Sequence, residues 1–160
     1  MKKSFLSFPL AVLLTAAGLS AGEKLYQPEL TQQVQPGAGR YFTGEGDTAV
    51  LNFSASDIGE NTVDIPVDPA LLAGKTVTLS GEISQVNVSP GPHPWNGVRL
   101  ALKLVDENGR RDMPQVSTPA GSADWTTRRV SVKVPENLKS AAIVLGLDWV
   151  VGTARFRNIA

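Results

Sequence analysis

Apolar and polar residues alternate with a period of two along most of this chain, and beyond its first twenty-odd residues no long stretch carries a helical period. In residues 97–105 (GVRLALKLV), Val98, Leu100, Leu102 and Leu104 fall on one face, and Arg99, Ala101, Lys103 and Val105 on the other. Residues 126–134 (TTRRVSVKV) repeat the pattern, with Val130, Val132 and Val134 inward and Arg129, Ser131 and Lys133 outward. Similar runs occupy residues 48–55, 62–67, 76–88, 141–147 and 152–159. Turn residues separate them: DIGEN at 57–61, PALLAGK at 69–75, DENG at 106–109, PAGS at 119–122 and PEN at 135–137. Strands that bury one face and wet the other pair into two stacked sheets, so the expected fold is all-β, an antiparallel β-sandwich of the jelly-roll kind. Residues 68–73 (DPALLA) allow one helical turn, with Asp68 as cap and Pro69 in the first helical position. In 76–88, Val77, Leu79 and Ile83 suit one face but Val86 and Val88 the other, which calls for a bulge near Ser84 and Gln85.

The chain start has a different character. Lys2 and Lys3, the apolar run FLSFPLAVLL (5–14) and the small residues AAGLSAG (16–22) are the three parts of a secretory signal. The apolar run falls short of the roughly 20 residues needed to span a bilayer. The expected organisation is a signal peptide at 1–21, a polar N-terminal arm at 22–46 with a short edge strand around 39–42, and one β-sandwich at 47–160, in a secreted or periplasmic protein. Without Lys2 and Lys3, the 15 Lys and Arg fall to 13 against 15 Asp and Glu. That slight negative balance gives no electrostatic reason to bind nucleic acid, and no membrane insertion is expected once the signal is cut. With no cysteine there is no disulfide, thiolate metal site or lipid anchor, so stability must come from the core.

Four stretches, taken in order, carry a likeness: LAGKTVTLSGEI (72–83), WNGVRLALKL (95–104), GSADWTTRRVSVKVPENLKSAAIVLGL (121–147) and GTARFRNI (152–159). Their order and spacing resemble the CenC-type jelly-roll carbohydrate-binding modules found beside secreted bacterial glycoside hydrolases. The resemblance covers roughly residues 50–160. It implies a module that binds polysaccharide or oligosaccharide and works with a separate glycoside hydrolase. Modules of this family hold structural calcium between an asparagine-rich opening segment and an aspartate of the last strand. Here the arm lacks that segment, and the last strand reads Phe156, Arg157, Asn158, Ile159. Asn158 retains one oxygen without the charge that Ca2+ prefers, which leaves calcium as the one cofactor the resemblance admits.

Glycan binding favours a rigid aromatic face against the C–H groups of a sugar, with amides, carboxylates and arginines addressing its hydroxyls. Trp95, in the Pro/Gly-rich stretch GPHPWNGVRL (91–100), is the first candidate platform; the alternative is a lid folded over the sheet edge. Asn96 is either a hydrogen-bonding contact or half of an Asn-Gly turn with Gly97. Arg99, Lys103, Glu82 and Gln85 are candidate polar contacts from the solvent faces of their strands. Alternation places Trp149 with Ile143, Leu145 and Leu147 in the core, whereas Val150, Val151 and Gly152 after it suggest a turn that puts it outside. Trp125 reads as a packing residue, and His93 lacks the partners a metal site or catalytic base needs. Carboxylates are present (Glu82, Asp106, Glu107, Asp112, Asp124, Asp148), but a glycosidase needs two of them flanking one bond, and no nucleophile, zinc or phosphate-loop motif occurs. The expectation is a non-catalytic binder; a structural or protein-interaction role is the alternative, since the scaffold serves either.

Overall fold

Each alternating run becomes a strand in the computed structural model, which describes residues 23–46 and 48–160. The expected signal peptide lies outside the described residues. A helical turn, α1 (Leu30–Gln33), precedes β1 (Arg40–Glu45), β2 (Thr48–Ala55) and β3 (Glu60–Val67). A second turn, α2 (Pro69–Leu72), leads into β4 (Thr76–Val88), β5 (Gly97–Asp106), β6 (Arg111–Asp112), β7 (Gly121–Lys133), β8 (Leu138–Asp148) and β9 (Gly152–Arg157). The cap on α2 is the expected one: Asp68 Oδ1 accepts from the Ala70 N–H at 2.9 Å, with Pro69 in the first turn.

Two antiparallel sheets result, one of five strands in the order β1-β2-β9-β4-β7 and one of four in the order β3-β8-β5-β6. They stack as a β-sandwich jelly roll. Their facing sides meet in one core, where Phe53 and Phe156 are fully buried and contact edge to face at 5.6 Å. The arm takes part as well. Leu30 and Val34 are buried in the core, and β1 forms an edge of the larger sheet against β2.

The pairing of β4 with β7 shifts where the alternation calls for a bulge, between Ile83 and Gln85, and shifts a second time between Gln85 and Val88, which turns the side chains differently from the expectation. Ile83 opposes Thr126, Gln85 opposes Ala123 and Val88 opposes Gly121, so first β7 and then β4 carries an extra residue. The surplus in β4 is absorbed at Asn87, in the left-handed region at φ 51°. Val86 is therefore 45% exposed while Val88 is buried. The expected face of Val86 is corrected, and so is that of Gln85, which points inward.

Candidate functional site

The outer face of the five-stranded sheet is organised around β9, which lies between β2 and β4. Its sequence GTARFR turns Ala154 and Phe156 into the core and leaves Thr153, Arg155 and Arg157 outside. Arg155 pairs with Asn52 of β2 and Ser84 of β4, and Asn52 pairs with Tyr41 of β1. On the other side, the extra residue in β7 sets Asp124 and Trp125 against Ser84 and carries the indole over the sheet. One row thus crosses all five strands: Tyr41, Asn52, Arg155, Ser84, Trp125. Beside it run Arg157, Glu82 and Thr127.

The charges on this face are paired. The Arg157 guanidinium donates through Nε to Glu82 Oε2 and through NH1 to Glu45 Oε2, both at 2.8 Å. Arg155 donates to Ser84 Oγ at 2.7 Å and lies 3.5 Å from Glu45 Oε1, while its buried Nε–H has no partner among the described residues. Trp125 receives both cations, with the Arg157 and Arg155 guanidinium carbons 4.1 and 5.2 Å from its ring centroid. Hydrogen bonds from the Asn158 amide, at 2.8 Å, and from Arg157 hold the Glu82 carboxyl below its ordinary value of 4.5. Asn52 Nδ2 fastens the β1 edge through the Tyr41 carbonyl at 3.2 Å and Thr43 Oγ1 at 3.0 Å.

The structure divides the candidates named from sequence. Glu82 lies on this face. Gln85 is 3% exposed and gives its amide to the carbonyls of Pro119 and Gly121, at 2.6 and 3.2 Å, so it holds the approach to β7 and is not open to a ligand. Arg99 and Lys103 project from the other sheet; Arg99 is paired with Asp148 and Lys103 with Asp64, the latter at 2.6 Å. Trp95 is 58% exposed and stacks on His93 at 4.7 Å between ring centroids, in place of lying down as a lid. Asn96 makes more than a turn, because its Nδ2 donates to Asp148 Oδ2 at 2.8 Å. Trp149 is 50% exposed at φ 54°, which decides its two readings for the outside.

The sequence pattern does not single out Tyr41, Asn52, Arg155 or Arg157, and Trp125, expected to pack, instead covers the two arginines on this face. The signal for the arginines is the strand GTARFR itself, where outward cations alternate with a buried alanine and phenylalanine. Calcium finds few charged donors: among the described residues no three His, Asp or Glu side chains cluster.

No protein-family model matches the chain, and neither does any curated protein. Solved structures do. A xylan-binding domain from carbohydrate-binding module family 22 aligns over 75% of this chain and 79% of its own, with TM-score 0.55 and 14% identity. The C-terminal family 22 module of Clostridium thermocellum Xyn10B aligns over 75% and 78%, with TM-score 0.54 and 14% identity. The CBM22-1 and GH10 modules of the Clostridium thermocellum endo-1,4-beta-D-xylanase 10B, complexed with xylohexaose, align over 77% of this chain and 24% of theirs, with TM-score 0.54 and 12% identity. At such identities the likeness is one of fold, and this chain has the β-sandwich jelly-roll fold of carbohydrate-binding modules.

Proposed function

We propose that this chain is an exported, non-catalytic polysaccharide-binding module, related to the CenC type, that lays a glycan across the outer face of its five-stranded sheet. The observation that carries the reading is the row Tyr41, Asn52, Arg155, Ser84, Trp125. Four strand spacings give it a length of about 19 Å, room for several sugar rings in line. Aromatic rings stand at its two ends, where sugar faces can stack; in the middle Asn52 and Ser84 are buried and fastened within the sheet, which leaves Arg155 as the polar group that faces a ligand. The Arg155 side chain is 33% exposed, so its guanidinium is within reach of a hydroxyl laid across the row.

On this face Glu82 is ill suited to the acid role of a glycosidase, which must hold its proton near neutral pH, because the Asn158 and Arg157 hydrogen bonds keep its carboxyl below its ordinary value. A linear β-linked glycan such as xylan is the first ligand to try, because neighbours of this fold are a xylan-binding domain and a module pair complexed with xylohexaose. In the second of these the module is joined to a GH10 module; here the hydrolase is proposed to be a separate polypeptide. Export rests on the signal-like residues 1–21.

Affinity electrophoresis of the chain without residues 1–21, against xylan and a panel of other soluble glycans, tests the reading. Retardation by at least one glycan is expected, strongly reduced in Trp125→Ala and in Tyr41→Ala. Retardation untouched by either substitution would move the site off this face, and sugar release from the retarding glycan would overturn the non-catalytic assignment.

A further inference from the structure

The four-stranded sheet has an aromatic cluster of its own. Among the described residues six large apolar side chains are exposed: Tyr41, Ile58, Val86, Trp95, Met113 and Trp149. Ile58, Trp95 and Trp149 come from segments that meet at one end of this sheet, at the backbone pair Gly97 and Asp148, while Met113 lies further along β5, between the pairs Leu104–Asp112 and Ala101–Gln115. Trp95 stands two residues before Gly97, and Trp149 directly follows Asp148. The Trp149 N–H donates to the Gly59 carbonyl at 2.8 Å, which brings Ile58 alongside, and Arg99 NH1 reaches Met113 Sδ at 3.8 Å.

Trp149 is outside for a backbone reason. Its φ of 54° is an unfavourable conformation for a bulky residue. Continued alternation would have buried the indole with Leu145 and Leu147. Strain that keeps a tryptophan in water is a feature of binding surfaces more than of stable scaffolds.

At the centre of the cluster is Asp148, with its side chain 11% exposed. Its Oδ2 accepts from Asn96 Nδ2 and from Arg99 NH2, whereas Oδ1 accepts from no side chain or backbone group among the described residues. Arg99 also donates to Gln115 Oε1, and Gln115 Nε2 donates to the Trp95 carbonyl at 3.1 Å. Asn96 Oδ1 accepts from the His93 N–H at 3.1 Å, and the Asn96 N–H donates to the His93 carbonyl at 3.0 Å. Asp148, Arg99, Gln115 and the Trp95 loop therefore form one connected frame that leaves one carboxylate oxygen open, with Trp95 next in the chain to Asn96 and Trp149 next to Asp148.

We propose that this end of the four-stranded sheet is a second glycan-binding site, with sugar rings on Trp95 and Trp149 and a sugar hydroxyl donating to Asp148 Oδ1. Its ligand class rests on the function proposed above, but its position does not. An apolar protein surface docked here would bury Oδ1 without a donor, whereas a polyol brings donors and C–H faces together. The two sites lie on opposite sheets, so one molecule can hold two polysaccharide chains at once. The chain is then a cross-linker, with the gain in apparent affinity on polymeric glycan that multivalency confers.

Calorimetry with xylohexaose, and turbidity with soluble xylan, test this on three forms of the chain without residues 1–21: the natural sequence, Trp125→Ala, and Trp95→Ala/Trp149→Ala. The natural sequence is expected to bind two oligosaccharides and to cloud xylan solutions. Each variant is expected to bind one and to leave the solutions clear. Because the substituted indoles are exposed in the double variant, an unchanged melting temperature separates lost binding from lost folding. A stoichiometry of one that Trp125→Ala abolishes and the double substitution spares would overturn the second site and leave the first standing. The reverse pattern would overturn the first and support the second. Ligand-free dimerisation that the double substitution removes would make the cluster a self-association face, against the proposal. If neither xylohexaose nor any other glycan of the panel binds, both readings fall.

Discussion

The guanidinium carbon of Arg157 lies 4.1 Å from the centroid of Trp125, and two carboxylates, Glu82 and Glu45, hold the same guanidinium by single hydrogen bonds of 2.8 Å. A cation fixed in this way has little freedom to leave the ring. The orientation of the indole is therefore set before any ligand arrives, which lowers the entropy a sugar must pay on stacking.

Arg157→Gln removes the cation and leaves Glu82 and Glu45 facing each other without their shared partner. Glycan affinity is expected to fall about tenfold or more, roughly the 1–2 kcal/mol of a well-placed cation–π contact. Arg157→Lys keeps the charge but lacks the fork that serves two carboxylates, so it should fall between. Retardation by the retarding glycan, measured beside urea unfolding, checks both; equal affinity in all three forms would mean that Trp125 needs no positioning.

Acid should weaken the fold through Glu82. Its carboxyl is held below its ordinary value of 4.5 by Asn158 and Arg157, so folding favours the ionised form. The contribution is complete above about pH 4.5 and disappears as the pH drops through the lower folded-state value. In urea titrations over a pH series, the deficit of Glu82→Gln relative to the natural sequence should be largest above about pH 4.5 and shrink as the pH falls below it. A constant difference across the series would show that the ionisation of Glu82 is not linked to folding.

Phe156→Ala tests how the binding face depends on the core. Phe156 is fully buried against Phe53 and stands between Arg155 and Arg157 on β9. A loss of about 3–5 kcal/mol is expected from the cavity, with glycan retardation reduced by the shift of the two arginines. Phe156→Leu should recover most of both, read by unfolding midpoints and electrophoresis.

Gly146 and Gly109 form a matched pair. Both have positive φ, 142° and 80°, but a Cβ on Gly146 would come within 2.2 Å of the Asn61 carbonyl oxygen, while one on Gly109 would meet nothing within 4 Å. Gly109→Ala should cost about 1 kcal/mol from backbone strain alone. Gly146→Ala must push β3 away from β8 and should cost several times as much, in thermal unfolding, and similar melting temperatures would count against the close β3–β8 approach.

The strands and the sandwich were legible because burial on one face imposes a period of two, and that period is local. The row on the five-stranded sheet was not, because it depends on which strands become neighbours. Arg155 meets Asn52 and Ser84 only through the order β2-β9-β4, and alternation within a strand carries no information about order. Tyr41 was hidden in a segment without a clear period. Trp125 was hidden by the extra residue of β7, which places it over the sheet, and Gln85 and Val86 by the second shift of the pairing, absorbed at Asn87. Glu82, Arg99 and Lys103 were rightly placed on solvent faces, but on two different sheets.

The central position of β9 also sets a timetable. Leu51 pairs with Phe156 and Ile83 with Phe156, so the five-stranded sheet closes only when segments some hundred residues apart along the chain have met. Non-local pairing of this kind belongs to chains that fold in milliseconds to seconds, not microseconds. Arg155 and Arg157 arrive with that step, and a partly assembled sheet has neither the middle of the row nor the cations that orient Trp125. Glycan capture can then serve as a reporter of the final folding event: in a refolding experiment it should appear late and in one phase, with no weaker binder before it.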